Sequence, residues 1–393
     1  MPRQIRPILI LAAMFLAACT SLQKPPIPVV IPPVVTPKPA LKASTWDNLP
    51  NWMDDDLAQA WDAFLQSCNA LKNQLTWQPV CLTAEFFEHK DDQSLRHFFE
   101  LNFTPYQVLN ADGSDEGLVT GYYEPLIHGS RTPSNRYRYP VYGVPDDLLI
   151  VDMGEVYPEL KNFRLRGRVT GKKVVPYYSR AEIEKNDSVL KGRELLWADD
   201  AVELFFLQIQ GSGEVQLDTG ETIRIGFAEQ NGHPYKSIGR LLVERRELPL
   251  EQASIQGIKT WGAKNPQKLA ALLNDNPSYV FFRELPAGLP GPIGALGVPL
   301  TPGRSLAVDP RTIPQGAPVY ISTTWPNTSE PLNRLTLAQD TGGAIKGGVR
   351  ADFFWGSGEE AGSQAGKMKQ SGKLWVLLPN DYELPSNLAS RFK

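Results

Sequence analysis

Residues 338 to 362 read AQDTGGAIKGGVRADFFWGSGEEAG and form the most informative stretch of the chain. Asp340 is followed by a threonine and two glycines, which allow backbone amides to approach and hydrogen-bond a carboxylate. We therefore expect its ionised form to be favoured. Asp352 instead precedes the tripeptide Phe-Phe-Trp, an apolar setting that disfavours charge. Its carboxyl is then expected to stay protonated near neutral pH, as a general acid requires.

The chain around this stretch is a series of short strands and glycine-rich turns. From Pro286 onward, the segments SLAVDP, APVYIST, LTLAQDTGG, DFFWGSG and KLWVLLP predict a compact β-barrel rather than alternating strands and helices. A third acid, Asp309, lies in SLAVDPRTIPQG. Acids beside glycine turns are usually turn formers, so an ordinary structural role for all three stays open from the residues alone.

Farther upstream, strand and helix patterns are mixed. Asn265 is a favourable helix cap and Pro266 a favourable first helical residue. The fold class predicted from the whole pattern is mainly β with peripheral helices, α+β. Strands are predicted at 117–125, 203–213 and 221–229, and helical spacing occurs at 57–71, 92–102, 237–245, 255–261 and 266–273.

The N-terminus has the features of a secretory signal. Two arginines precede an apolar run that is too short to span a bilayer as a helix, which predicts a signal peptide over 1–18. The tetrad Leu-Ala-Ala-Cys that ends at Cys19 resembles the bacterial lipobox, which implies a lipid anchor on that residue. An ordinary signal with an incidental cysteine is the alternative. Thr20, where an aspartate would signal retention, implies sorting to the outer membrane.

A proline-rich stalk follows the lipobox. Residues 24–40 contain seven prolines, which favour an extended conformation of about 3.1 Å per residue, so we assign 19–45 to the lipidated cysteine and stalk. Such a spacer holds a folded part away from a membrane. The two cysteines beyond it, Cys68 and Cys81, either form a disulfide in an oxidising compartment or stay as small buried thiols.

Composition argues against several classes of function. The 393 residues carry a formal net charge of -3, so the basic surface that a nucleic-acid partner requires is missing. No phosphate-binding loop or dinucleotide fingerprint is present, and we expect neither a cofactor nor a metal. The histidines lack metal-ligand spacing; they are His89, His97, His128 and His233.

Six segments between residues 117 and 380 together resemble the membrane-bound lytic murein transglycosylase A family. The resemblance implies a double-psi β-barrel built from chain on both sides of an inserted β-rich domain, with a deep groove between them. We therefore place the helical N-terminal part and the barrel at 46–124 plus 286–393, and the insert at 125–285. The segments are GYYEP (121–125), LQIQGSG (207–213), NGHPYKSIGR (231–240), NPSYVFFR (276–283), AVDP with IPQG (307–316), and the 338–362 stretch.

The resemblance also implies an activity and roles for the acids. Asp352 matches the family's catalytic aspartate, and Asp340 and Asp309 match the other two acids of the three-aspartate barrel. The implied enzyme is a lyase that cleaves the β-1,4 bond between N-acetylmuramic acid and N-acetylglucosamine and leaves 1,6-anhydromuramic ends. We expect Asp340 to stabilise developing positive charge, with Lys346 as a balancing cation, and a merely structural role is the alternative for each. Asp309 is expected to be a structural acid.

Side chains suited to sugars occur in two of these segments. Tyr122 and Tyr123 supply aromatic faces, although core packing is an equal alternative for each. Gln208, Gln210 and Ser212 supply hydrogen-bonding groups. On a strand, residues two apart point to the same side, so we expect both glutamines on one wall of the groove.

Two other functions stay open at this stage. A hydrolase on the same barrel would use a second acid such as Asp340 to activate water. A non-catalytic lipoprotein that binds peptidoglycan and holds other wall enzymes would need no acid at all. In each case the expected partners are peptidoglycan glycan strands and the outer membrane, with cell-wall enzyme complexes as a further prediction.

Overall fold

A computed structural model describes residues 40–160, 163, 165–186, 188–385, 388 and 389. The signal peptide, Cys19 and most of the proline-rich stalk lie outside these residues. The helices are α1 (Ala58–Leu71), α2 (Gln78–Glu85), α3 (Asp92–Asn102), α4 (Arg180–Lys185), α5 (Ala201–Gln210), α6 (Ile238–Glu244), α7 (Ile255–Lys264), α8 (Pro266–Asn274) and α9 (Gly358–Lys367).

The strands outnumber the helices. They are β1 (Ala40–Ala43), β2 (Phe103–Leu109), β3 (Gly117–Glu124), β4 (Leu126–Ser130), β5 (Tyr139–Tyr142), β6 (Leu149–Ile150), β7 (Arg166–Thr170), β8 (Lys173–Pro176), β9 (Glu194–Ala198), β10 (Ser212–Leu217), β11 (Thr222–Gln230), β12 (Val280–Glu284), β13 (Ser305–Val308), β14 (Pro318–Thr324), β15 (Pro331–Asp340), β16 (Arg350–Ser357) and β17 (Lys369–Pro379). The predicted fold class, mainly β with peripheral helices, is confirmed.

The largest sheet closes into a barrel. Its strand order is β1-β2-β17-β14-β15-β13-β16-β3, and β17 also pairs with β3, which closes a ring of six strands. Closure leaves those six strands without a free edge. Strand β3 comes from the first third of the chain, whereas β13 to β17 come from the last quarter.

A second sheet is formed entirely by the chain between β3 and β13. Its order is β12-β11-β10-β4-β9-β5, and a small sheet of β6, β7 and β8 accompanies it. The chain therefore leaves the barrel after Glu124, enters the second sheet at Leu126, and returns to the barrel at Ser305. We call residues 124–126 the outgoing segment and 285–304 the return segment.

The N-terminal helices complete the barrel core. Trp61 and Phe64 of α1 pack against Phe99 of α3 in the same buried cluster as the barrel strands. A disulfide between Cys68 and Cys81 joins α1 to α2, which answers the question that the sequence left open. The part of the chain that the structure describes contains no helix long and apolar enough to cross a membrane.

The expected strand at 203–213 is wrong, because residues 201–210 form helix α5. The side chain of Asp200 accepts hydrogen bonds from the amides of Val202 and Glu203 and so caps the helix, and Gly211, at φ 84°, ends it. Helix α5 is buried on two sides, since Leu204 belongs to one apolar cluster and Val202 to another. A helix that is apolar almost all round lacks the usual periodic pattern.

The five helices expected from spacing are confirmed at α1, α3, α6, α7 and α8. The capping role of Asn265 differs from the expectation. Its side-chain amide donates to the carbonyl of Trp261 at 2.9 Å and so closes α7, rather than capping the start of α8. One residue therefore ends one helix while its backbone begins the next.

Candidate active site

Four residues on neighbouring strands form one row across the barrel wall. Asp340 of β15 and Asp352 of β16 are both cross-strand partners of Ala307 in β13, and Thr120 of β3 is the partner of Asp352. Alternate residues of these strands, such as Phe353, face the buried core. Because side chains alternate along a strand, Thr120, Ala307 and Asp352 point to the opposite face of the wall.

Asp352 is held by a hydrogen-bonded pair of neighbours. The hydroxyl of Thr120 donates to Oδ1 of Asp352 at 2.6 Å, and Nη2 of Arg350 donates to that hydroxyl oxygen at 2.9 Å. Since Thr120 accepts from Arg350, its own proton is directed at Asp352. When Asp352 is itself protonated, its proton is therefore carried on Oδ2.

Asp352 is partly exposed as a whole residue. Burial of its carboxyl raises its pKa, and the hydrogen bond from Thr120 and the charge of Arg350 oppose that rise. The net direction is upward, as the apolar setting predicted. A carboxyl in this state is suited to donating a proton and then taking one back.

Asp340 accepts more hydrogen bonds than Asp352, but its pKa is raised, whereas the expectation was that the ionised form is favoured. Its Oδ1 accepts from the amides of Ala295 and Thr341, both at 2.9 Å. Burial outweighs these bonds and raises the pKa of Asp340 to about 6, with a smaller contribution from the charge of Asp352. Of the amides expected from the turn, only that of Thr341 donates to Asp340, and the expectation left out the cost of desolvating the carboxylate.

Tyr122 lies beside Asp340. Its ring packs on Phe354 at a centroid distance of 5.2 Å, within a small buried cluster that includes Ala307. The hydroxyl lowers the pKa of Asp340, although its position falls short of a formed hydrogen bond. The same burial and the nearby acids raise the pKa of Tyr122, so it stays a neutral hydroxyl.

The remaining sugar-contact candidates are dispersed. The backbone amide of Tyr123 donates to Oε1 of Gln210 at 3.3 Å, which brings those two together. Gln208 is buried and bound to Arg180, away from Gln210, because residues two apart on a helix point in nearly opposite directions. The prediction that Gln208 and Gln210 lie on one wall of the groove is therefore wrong. Ser212 begins β10, opposite Gly226.

Asp309 and Lys346 belong to the loops beside the row. Asp309 is 2% exposed and accepts from Nη2 of Arg311 at 2.6 Å and from the amide of Gly347 at 2.8 Å. Burial acts to raise its pKa, but the bonds from Arg311 and Gly347 outweigh that effect and lower it. Lys346 is exposed, and no ion pair to it is found among the described residues.

Sequence reasoning missed Thr120, Arg350 and Ala295. Arg350 stands two residues before Asp352, which was a usable signal, because neighbours two apart on a strand share a face. Thr120 and Ala295 offered none, since their contacts depend on a parallel strand pairing and on the path of the return segment.

In the part of the chain that the structure describes, the row belongs to no metal-binding cluster and lies outside two cavities found elsewhere. No cluster of three or more His, Cys, Asp or Glu side chains that could hold a metal occurs in the described ranges. One cavity, of about 620 Å³, is lined by Trp375, and another, of about 310 Å³, by Arg180; neither includes Asp352 or Asp340. The candidate site therefore rests on side-chain geometry on the wall of the barrel.

Two family models match the chain, one over the part that forms the second sheet and one over the C-terminal barrel strands. Residues 118–283 match the MltA specific insert domain, and residues 304–378 match the 3D domain. A barrel with this insert, carrying paired acids on its wall, defines the class as a lytic transglycosylase of the barrel type.

Relatives and solved structures agree with that class. Membrane-bound lytic murein transglycosylase A of Escherichia coli K12 is 32% identical over 295 residues, which cover 73% of this chain and 72% of the relative. MltA from Neisseria gonorrhoeae, in its monoclinic crystal form, is 42% identical with a TM-score of 0.77, covering 88% of this chain and 94% of that one. E. coli MltA with bound chitohexaose is 26% identical with a TM-score of 0.64, covering 88% and 95%. The chain belongs to the membrane-bound lytic murein transglycosylase A family.

Proposed function

We propose that this protein cleaves the β-1,4 bond between N-acetylmuramic acid and N-acetylglucosamine in peptidoglycan, leaving 1,6-anhydromuramic ends. The observation that carries the proposal is the partly exposed Asp352, whose pKa is raised and whose Oδ1 is occupied by Thr120. Its family membership supports the reaction class, and the chitohexaose bound to the E. coli relative supports a glycan substrate.

One carboxyl is enough for this reaction. Protonated Asp352 gives its proton to the glycosidic oxygen as the bond to C1 of the muramic acid breaks. The resulting carboxylate takes the proton from the C6 hydroxyl of the same sugar as that oxygen bonds to C1. Because the nucleophile belongs to the substrate, proximity replaces the second carboxylate of ordinary glycosidases, and Asp352 ends in its starting state.

The neighbouring groups act around that proton transfer. We assign to Asp340 the stabilisation of oxocarbenium-like charge, because it lies in the same row and gains negative charge above its pKa of about 6. Tyr123 offers an aromatic face to sugars at the end of β3, with Gln210 beside it, whereas the buried ring of Tyr122 on Phe354 favours the core-packing alternative for that residue. Lys346, Ser212 and the structural role of Asp309 stay predictions.

The domain organisation is part of the proposal. We place the N-terminal helical part and the barrel at 46–124 plus 286–393, and the insert at 125–285, with the glycan in a groove between barrel and insert. The separation of the two large sheets, with the crossings at Glu124 and Ser305, supports the boundaries of the insert, whereas the pairing of β1 with β2 argues for a folded part that begins before residue 46.

Digestion of purified murein sacculi tests the function. Products with anhydromuramic ends, each one water lighter than a reducing end, are expected from the wild type. Asp352→Asn is expected to lose at least about 10²-fold in rate, in line with the loss of a general acid, while the exposed Asp381→Asn keeps its rate. Reducing ends alone would establish hydrolysis, and no turnover by the wild type would favour the scaffold role.

We further infer attachment to the periplasmic face of the outer membrane through a lipid on Cys19. The Leu-Ala-Ala-Cys tetrad, the stalk and the membrane-bound relatives support this location, and the Cys68–Cys81 disulfide suits an oxidising compartment. Incorporation of labelled palmitate tests it. Label in the wild type and none in Cys19→Ser is expected, and label in both would refute the assignment.

A further inference from the structure

Arg224 of β11 contacts residues of both large sheets and of the segment that joins them. Its Nε lies 2.9 Å from Oε1 of Glu124, its Nη2 lies 2.5 Å from Oε1 of Glu214, and its Nη1 donates to the carbonyl of Leu289 at 2.7 Å. The contact with Glu124 is ionic rather than an aligned hydrogen bond. The side chain of Glu124 is fully buried, and it also accepts from the hydroxyl of Ser357 at 2.7 Å.

These partners belong to both crossings of the chain between the sheets. Glu124 is the last residue of barrel strand β3 and the first of the outgoing segment. The backbone amide of Glu214 donates a hydrogen bond to the carbonyl of Pro125, the next residue of that segment, at 2.9 Å. Leu289 lies in the return segment, and the backbone carbonyl of Arg224 also accepts from the amide of Leu285 at 2.8 Å. One guanidinium therefore contacts both crossings.

Each crossing leads directly to a group that binds a site acid. Four residues before Glu124 on the same strand, Thr120 donates to Asp352. Six residues after Leu289, the amide of Ala295 donates to Asp340. The two acids thus depend on the positions of the two segments that Arg224 joins.

We propose that Arg224 is a positioning residue for the proposed reaction: it clamps the outgoing segment to the return segment and so fixes both acids of the row. The inference rests on the proposed function for its kinetic consequence only. Neither the family models nor the relatives' names assign a role to Arg224 or Glu124.

The geometry of the guanidinium explains why arginine is needed. Its three nitrogens each contact a different partner, whereas the single ammonium nitrogen of a lysine cannot occupy three separate positions at once. Arg224→Lys therefore keeps the charge that buried Glu124 requires but removes most of the clamp. Glu124→Gln makes the complementary change, because it removes the charge and retains a group that accepts from Ser357.

Hydrogen exchange of the full-length protein tests the clamp independently of catalysis. In both variants we expect amides at 286–296 to exchange on the order of tenfold faster than in the wild type, because local opening costs less. Exchange in β13 to β17 should not change. Arg131→Lys is the matched control, since Arg131 pairs with Glu284 at 2.8 Å within the second sheet and contacts neither crossing.

Kinetics on sacculi form the second readout. We expect kcat to fall about tenfold in Arg224→Lys, with a thermal melting curve close to that of the wild type and no change in Arg131→Lys. Unchanged amide exchange at 286–296 in both variants would overturn the proposed role of Arg224. An equally large increase in exchange in Arg131→Lys would overturn it as well. Faster exchange with no anhydromuramic products from the wild type would instead overturn the proposed function and leave the clamp standing.

Discussion

Asp340 and Asp352 share a single cross-strand partner, Ala307, and so lie two strand spacings apart on one wall of the barrel. Two spacings place their Cα atoms about 10 Å apart. Only a methyl side chain stands between them in the row, and the charge of Asp352 raises the pKa of Asp340. Ionisation of one acid therefore makes ionisation of the other harder, which favours a protonated member of the pair near neutral pH.

Replacing Thr120 by valine tests how Asp352 is tuned. The Thr120 hydroxyl stabilises the carboxylate, so its loss raises the pKa of Asp352 further. A general acid works in its protonated form, and activity is lost as the pH rises through its pKa. We therefore expect the alkaline limb of kcat/KM to move to higher pH in Thr120→Val. The rate below that limb should fall less than about tenfold, as expected for one neutral hydrogen bond of about 1 kcal/mol.

Thr120→Ser is the matched control for that experiment. Serine keeps the hydroxyl that accepts from Arg350 and donates to Asp352, so its pH profile should follow the wild type. An alkaline limb that stays in place in Thr120→Val, or moves to lower pH, contradicts the assignment of Asp352 as the acid.

Asp340→Asn is expected to make the protein more stable in alkali. The pKa of Asp340 rises from 3.8 to about 6 on folding, so the folded state favours the protonated form. Well below pH 4 both states are protonated, and the carboxyl has no effect on stability. Between pH 4 and 6 the carboxyl ionises in the unfolded chain before it does so in the folded protein, so folding becomes less favourable. Above pH 6 the carboxyl is ionised in both states, and the loss of stability is complete. At pH 8 the free energy of unfolding of the variant should be about 1–3 kcal/mol larger than that of the wild type.

Urea unfolding at pH 4 and pH 8 measures this difference, and Asp309→Asn gives a control of opposite sign. The pKa of Asp309 is lowered on folding despite its burial, because Arg311 and the amide of Gly347 stabilise the carboxylate. Its ionised form therefore stabilises the protein above the unfolded pKa, and that stabilisation is lost as the pH falls through the folded pKa. Asp309→Asn should lose stability at pH 8. Equal changes in the free energy of unfolding for both variants would show that burial does not raise the pKa of Asp340.

The barrel strands and the acids could be predicted from sequence because their signals are local. The short runs that hold Asp309, Asp340 and Asp352 are each bounded by turn residues, and each forms a strand or a strand end. Helix α5 could not be predicted in the same way. Its tertiary neighbours bury both faces, so the residues 203–213 carry the composition of a buried strand.

The partners of the acids could not be predicted, for a different physical reason. Thr120 and Asp352 are separated by 232 positions and meet only because β3 pairs in parallel with β16 across the barrel. The pKa of Asp340 likewise depends on how deeply the folded chain covers it, which a following glycine turn does not reveal. Local sequence therefore indicated the chemical groups, while topology determined their environment.

The disulfide between Cys68 and Cys81 is expected to stabilise the N-terminal helices. The two cysteines are 13 positions apart, and closing a loop of that length restricts the unfolded chain by about 3 kcal/mol. The double variant Cys68→Ser with Cys81→Ser should unfold at lower denaturant concentration by a corresponding amount. Reductant should lower the stability of the wild type to the same level and leave the double variant unchanged. A wild type insensitive to reductant would contradict the prediction.

The buried ion pair between Asp55 and Arg304 is expected to hold the N-terminal segment on the barrel. Nη1 of Arg304 lies 2.9 Å from Oδ1 of Asp55, the two side chains are 3% and 4% exposed, and the amide of Leu335 donates to Oδ2 of Asp55 at 2.6 Å. Asp55→Ala leaves a buried guanidinium without its counter-charge, so unfolding should cost about 3–5 kcal/mol less. Asp54→Ala removes an exposed neighbour and should change the free energy of unfolding by less than about 1 kcal/mol. Chemical denaturation of both variants measures the difference, and equal losses would mean that the pair does not anchor the segment.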